Sequence, residues 1–187
     1  MSIEKTVSSN LVYDGTFLKV HQDDVALADG NRLKREFIKH PGASLIVPVF
    51  DDFETMIVEQ FRYPLKTTFI EFPAGKIDPG ETPLVTAKRE LLEETGLTAK
   101  IWQPMTIIHP VIGYSDEVIH LFLAKQIQQH ERDKQAGEDL ILKKVSFQWL
   151  FQKLVQNELT DVKTQIALFW AEKLLSSQWK PSFSKKD

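Results

Sequence analysis

The stretch Gly75–Leu97, Gly-Lys-Ile-Asp-Pro-Gly-Glu-Thr-Pro-Leu-Val-Thr-Ala-Lys-Arg-Glu-Leu-Leu-Glu-Glu-Thr-Gly-Leu, constrains this chain more than any other. It reads as a loop feeding a short helix crowded with carboxylates. Thr82 suits an N-cap, Pro83 the first helical position, and Gly96 the residue just past a helix C-terminus. The pattern predicts a helix from Pro83 to Thr95. Glu90, Glu93 and Glu94 then fall at i, i+3 and i+4 and share one face, while Leu84, Ala87 and Leu91 fill the neighbouring arc and face a core. Like charges packed this way destabilise a helix unless something cationic neutralises them. A hard divalent cation, Mg²⁺ above all, meets that need through oxygen ligands and shares its coordination with water and phosphate. A bare Glu-x-x-Glu-Glu is more often a solvated acidic face, so the surrounding residues decide.

Those residues read Gly75-x5-Glu81-x7-Arg89-Glu90-Leu91-x-Glu93-Glu94-x-Gly96-Leu97, which resembles the signature box of the Nudix hydrolases at every defining position. A chance coincidence of these residues has a probability on the order of 10⁻⁷ from background usage. The resemblance implies a loop-helix-loop that holds divalent metals against the diphosphate of a nucleoside diphosphate linked to another group. Glu90 and Glu94 would be the main metal ligands, with Glu93 completing the cluster. Glu93 and Arg89 are candidate catalytic side chains; Arg89 and Glu81 are expected to act by holding loop and helix together.

In Leu33-Lys-Arg-Glu-Phe37, Glu59-Gln-Phe-Arg62 and Glu71-Phe-Pro-Ala74-Gly75 the chain resembles the ADP-ribose pyrophosphatase branch of that family. That branch implies an α/β sandwich of mixed sheet between helices, a small N-terminal antiparallel strand domain, and a homodimer whose active site the partner completes. The expected division is residues 1–40 for the strand domain, 41–179 for the hydrolase domain and 180–187 for a flexible tail. Arg35 stands where the branch has an arginine beside the base; a solvated strand charge is the other reading. In Glu59-Gln-Phe-Arg62, the arginine would hold the phosphates, the alternative being a side chain lying over apolar surface. Glu71-Phe-Pro-Ala74-Gly75 enters the box as in the branch, where the alanine carbonyl is a metal ligand; Glu71 either contributes to substrate or metal binding or lies on the surface.

Past the box, Pro110-Val-Ile-Gly-Tyr-Ser-Asp-Glu117 resembles the branch's Pro-Gly loop with one departure. The marker proline position is Ile112 here, with Pro110 two residues earlier, which leaves nucleoside diphosphate sugars other than ADP-ribose open, GDP-mannose or a dinucleotide among them. Glu117 would reach the substrate or else orient this loop. In the polar stretch Ile127–Asp139, read as a mobile loop, Glu138 is the acid placed to serve as general base, metal ligand or both.

The resemblance thus implies Mg²⁺-dependent hydrolysis of a nucleoside diphosphate sugar, ADP-ribose first, with two or three Mg²⁺ per site and Mn²⁺ as the alternative ion. A Nudix-like sensor that binds without cleaving is the remaining class, and it would be expected to have lost box carboxylates; this chain keeps them all.

Composition agrees with one such domain plus an extension. The chain has 187 residues, 42% hydrophobic and 26% charged, enough for a substantial core. Net charge is -3, with both signs interspersed, so no electrostatic footprint for nucleic acid or an anionic membrane is expected. There is no cysteine, which excludes disulfides, thiolate metal sites and cysteine nucleophiles. Apolar runs are strand-sized and a basic-apolar leader is lacking, so a cytoplasmic protein is expected.

Periodicity predicts strands at 17–20, 25–27 and 33–38, with a hairpin turn at Asp29-Gly30-Asn31. Further strands are expected at 43–49, 55–58, 105–109, 118–124 and 140–145, with a turn at Asp51-Asp52. Pro48 suggests an edge strand or a bulge. Closing helices are predicted over 147–156 and 161–176, the second with Val162, Ile166, Phe169, Trp170 and Leu174 as an apolar stripe for core or dimer packing.

Overall fold

Six consecutive buried residues, Ala43–Pro48, form the strand β4 on which the larger part of the molecule is built. The structure, a computed structural model, describes residues 4–51, 53–131 and 140–178. The expected loop residue Glu138, the turn residue Asp52 and the tail 180–187 lie outside them.

Ala43–Ile108 and the chain from Ile119 onward make one unit. Its strands after β4 are β5 (Glu54–Arg62), β6 (Thr67–Glu71), β7 (Ala74–Lys76), β8 (Leu97–Ile108), β9 (Ile119–Gln129) and β10 (Ile141–Ser146), with helices α1 (Pro83–Thr95), α2 (Phe147–Val155) and α3 (Val162–Leu175). They form a mixed sheet ordered β7-β4-β9-β8, with β4 and β9 parallel, and an antiparallel sheet ordered β10-β5-β6. Side chains of β4 alternate between two cores, as a strand buried on both faces requires. Leu45 and Val47 join Ile57, Phe72, Leu150 and Leu168 beneath α2 and α3, while Ile46 joins Ala87, Leu91, Leu97 and Phe122 beneath α1. Each fully buried Leu or Ile of this kind contributes roughly 1.5–3 kcal/mol. Helix α1 is thereby fixed over the mixed sheet, with β7 running beside it.

Some expectations need correction. Pro48 sits on an interior strand rather than an edge; it is tolerated because β7 pairs with β4 only along Ala43–Leu45, and the proline carbonyl accepts the Thr55 hydroxyl at 2.7 Å. Strand β8 begins on the last box residue, Leu97, and pairs with β9 on both sides of a register shift between Pro104 and Thr106, so it is far longer than its apolar end suggested. Strand β9 runs through Gln129 because its polar end still pairs with β8, which shortens the expected loop. Leu84 is 36% exposed, at the rim of an α1 face centred on Ala87, Leu91 and Glu94. In α3 the buried face is Leu168 with the small residues Thr164, Ala167 and Ala171, which permit close approach to the sheet; Val162 and Phe169 are exposed, and Ile166, Trp170 and Leu174 flank the core.

Residues up to Gly42, with His109–Val118, form a second unit. It holds an antiparallel sheet of β1 (Lys5–Asp14), β2 (Lys19–Ala26) and β3 (Arg32–Lys39). The hairpin turn falls at Asp29-Gly30-Asn31 as expected, with Gly30 at φ 86°. Strand β1 escapes the sequence pattern because every residue in it is exposed, and β2 is one continuous strand where two, at 17–20 and 25–27, were expected. The 109–118 loop is stitched to β3: Asp116 accepts the His40 amide at 2.8 Å, and Ser115 donates to the Ile38 carbonyl at 3.1 Å.

Candidate active site

Helix α1 starts and stops on the predicted residues. Thr82 accepts the Val85 amide, Pro83 opens the first turn, and Gly96 ends the helix at φ 70°, its amide donating to the Leu92 carbonyl. Within it Arg89 is a hub. Its Nε and Nη2 grip the two oxygens of Glu81 at 3.0 and 2.9 Å, its Nη1 reaches Glu90 at 2.7 Å and Glu93 at 3.0 Å, and Nη2 also meets the Lys76 carbonyl at 3.1 Å. A planar guanidinium can fork one carboxylate while reaching two others; an ammonium has no such fork. The Arg89 fork, with help from the Thr86 hydroxyl, holds the Glu81 carboxyl down at about 2. Loop and helix are therefore one piece.

Strand β7 lies against the acidic side of α1. The Ala74 amide donates to Glu94 at 3.0 Å, and Glu94 is only 6% exposed. A Cβ on Gly75 would collide with the Glu90 carboxylate, so glycine is what lets this acid lie on the strand. The fold thus gathers Ala74, Glu90, Glu93, Glu94, Arg89 and Glu81. Among the described residues, no three His, Asp or Glu side chains converge at metal-binding spacing; Glu90 and Glu93 are drawn to the Arg89 nitrogens. Even so, the donor set, carboxylates beside a backbone carbonyl, is all oxygen and suits a hard divalent cation.

A second polar group lies at the end of β5. Arg62 pairs with Glu71 through two parallel bonds, Nε at 2.7 Å and Nη2 at 2.6 Å. Glu71 is buried rather than on the surface, 2% exposed, and its Oε2 also takes Lys163 Nζ. Burial alone would raise the Glu71 carboxyl, but Arg62 and Lys163 outweigh it and hold it below the ordinary carboxylate range. Arg62 is itself pushed up, first by Glu71, and feels the charges of Asp161 and Glu94 as well, which puts this pair within electrostatic reach of one box carboxylate, Glu94. Lys163 was not foreseen: it lies 92 positions from Glu71, and no local pattern signals such a contact.

The two remaining candidates belong to the N-terminal unit. Arg35 is bonded to Glu4 through Nε at 3.0 Å and Nη2 at 2.6 Å. The Glu117 amide donates to Ser115 Oγ at 3.2 Å, and its carboxylate stands 3.8 Å from His40 Nε2.

The Nudix domain family matches residues 39–162, and the family of nucleoside diphosphate sugar hydrolase N-terminal domains matches residues 4–38. Over 167 residues the chain is 37% identical to an ADP-ribose pyrophosphatase of Bacillus subtilis (strain 168), covering 88% of this chain and 90% of that one. With the same coverage it is 35% identical to a methanol dehydrogenase activator of Bacillus methanolicus. The crystal structure of an ADP compounds hydrolase superposes at a TM-score of 0.82 and 20% identity, covering 94% of this chain and 95% of that one, a likeness of fold.

Proposed function

Since the chain belongs to the Nudix hydrolase family, we propose that its substrate is ADP-ribose, cleaved by water at the diphosphate to AMP and ribose 5-phosphate. The observation that carries this reading is the complete carboxylate set of α1, held against the Ala74–Gly75 strand and kept in place by Arg89. The 37% identity to an ADP-ribose pyrophosphatase over most of both chains supports the substrate.

Nudix hydrolases generally use a divalent metal. In this chain the Ala74 carbonyl, Glu90, Glu94 and Glu93 would hold Mg²⁺ or Mn²⁺, two or three ions, which when bound offset phosphate charge and acidify the attacking water. The protein's own groups do the rest. Arg62 orients the phosphates with its guanidinium fixed by Glu71. Arg89 keeps the loop and the ligand-bearing helix in register. A carboxylate takes the proton from the attacking water as it adds to phosphorus and the bridging P–O bond breaks, and Glu138 is the candidate for that role, for metal binding or for both; general-base catalysis contributes about 10²–10⁴-fold. Arg35 stacks on the base and Glu117 orients the loop that follows β8.

We further propose a homodimer working in the cytoplasm. Val7, Leu11, Val12 and Tyr13 are large apolar side chains exposed along β1, which supports a partner surface there. Among the described residues no helix is long and apolar enough to cross a membrane.

Ile112 in the marker proline position, 83% exposed, favours a second reading, a pyrophosphatase for another nucleotide sugar. Release of nucleoside monophosphate from ADP-ribose, GDP-mannose, UDP-glucose and diadenosine polyphosphates, each with Mg²⁺ and with chelator, separates the two. Strong Mg²⁺-dependent preference for ADP-ribose is expected; comparable rates across several sugars would replace it with a broad nucleotide-sugar hydrolase.

A further inference from the structure

The first turn of α3 carries a cation where a helix least favours one. Lys163 is the second residue of α3, at the positive end of the helix dipole, and its side chain is only 15% exposed. Both facts disfavour an ammonium unless specific anions meet it. Two do: Nζ bonds Glu71 Oε2 and, at 2.9 Å, Asp161 Oδ1. Asp161 in turn caps α3 through the Thr164 amide at 3.0 Å, and Thr164 Oγ1 accepts the Phe72 amide at 3.1 Å. The side chain of residue 71 and the backbone of residue 72 are thus both tied to one helical turn. Two residues further on stands Ala74.

The Glu71 oxygen that takes Lys163 is the one that takes Arg62 Nη2. From this shared atom we propose that Lys163 is a positioning residue: it fixes the Glu71 carboxylate, and Glu71 fixes the Arg62 guanidinium in the orientation that meets the substrate diphosphate. The proposal rests on the reading above in which Arg62 binds the diphosphate. Arg62 is 42% exposed along its side chain, so solvent would compete for its fork if Glu71 were free to turn. Lys163 and the α3 cap are what prevent that turn.

The test uses the full chain with Lys163→Met, Lys163→Gln and Lys163→Arg, each also made in an Arg62→Ala background. Thermal melting establishes that each is folded, and the Gln variant stands in if Met does not fold. Steady-state kinetics with ADP-ribose and Mg²⁺ should show KM raised about tenfold in the Met and Gln variants with kcat within about threefold, and near-normal KM for the Arg variant, the pattern of lost ground-state binding. In the Arg62→Ala background the same changes should leave KM unmoved, since residues acting in series are not additive. Without substrate, the ¹⁵N resonance of Arg62 Nε–H should shift and exchange faster with water in the Met and Gln variants. An unchanged KM with an unchanged Arg62 resonance overturns the proposal, as does an equal KM rise with and without Arg62. Should wild type fail to turn over ADP-ribose, the substrate reading fails and the Arg62 resonance alone decides whether Lys163 positions it.

Discussion

Gly75 and Glu90 are packed so closely that a methyl group on residue 75 would take the space of the Glu90 carboxylate. The blocking atoms are the far end of a flexible side chain, and Gly75 has no left-handed backbone conformation to lose. Gly75→Ala should therefore fold, with Tm within a few degrees of wild type, yet displace Glu90. Turnover and metal affinity should fall about 10- to 100-fold, as for other displacements around ligands. Isothermal titration with Mn²⁺ beside an activity assay checks this; normal affinity with normal turnover would remove Glu90 from the ligand set.

Glu81 gives the molecule an acid-dependent contribution to stability. Its carboxyl is lowered from 4.5 to about 2, chiefly by the Arg89 fork. A carboxyl depressed in the folded state adds stability that is fully present above its unfolded value and is lost as pH falls through the folded one. Wild type should thus melt above Glu81→Gln by a constant margin at pH 5 to 7, the margin shrinking below about 4.5 and vanishing near 2. Melting curves across that range read it directly, and a margin independent of pH would mean that the Glu81 charge plays no part.

Arg89→Lys keeps the charge and loses the fork. One ammonium cannot satisfy Glu81, Glu90, Glu93 and the Lys76 carbonyl together. We expect kcat/KM to fall about 10- to 100-fold and Tm by several degrees. Kinetics and melting of the purified variant suffice, and wild-type values in both would show that the hub has no consequence.

How much of this was legible in the sequence depends on how local each cause is. Helix α1 was legible to the residue because its cap, first-turn proline and terminal glycine are adjacent in sequence and act through backbone geometry alone. The carboxylate face followed from helical spacing, whereas Ala74 entered as a candidate through the resemblance to the ADP-ribose pyrophosphatase branch. Strand β1 was illegible because a wholly exposed strand has no alternation to read. The polar end of β9 looked like loop for a similar reason; its strand character comes from pairing with β8. Glu71 was undecided between site and surface because its burial is created by Lys163 and α3, whose approach no local pattern encodes.

Glu94 carries the central claim, being the most buried of the box acids and the one bonded to the Ala74 amide. AMP release from ADP-ribose should be measured for wild type and Glu94→Gln over a full Mg²⁺ titration, with a chelator control. Gln keeps an oxygen for the Ala74 amide, so the variant tests the charge rather than the fold. We expect wild-type turnover that the chelator abolishes, and a Glu94→Gln rate at saturating Mg²⁺ lower by about 10²-fold or more. Near-normal turnover by Glu94→Gln at saturating Mg²⁺ would contradict the assignment of these carboxylates to a metal-bridged diphosphate.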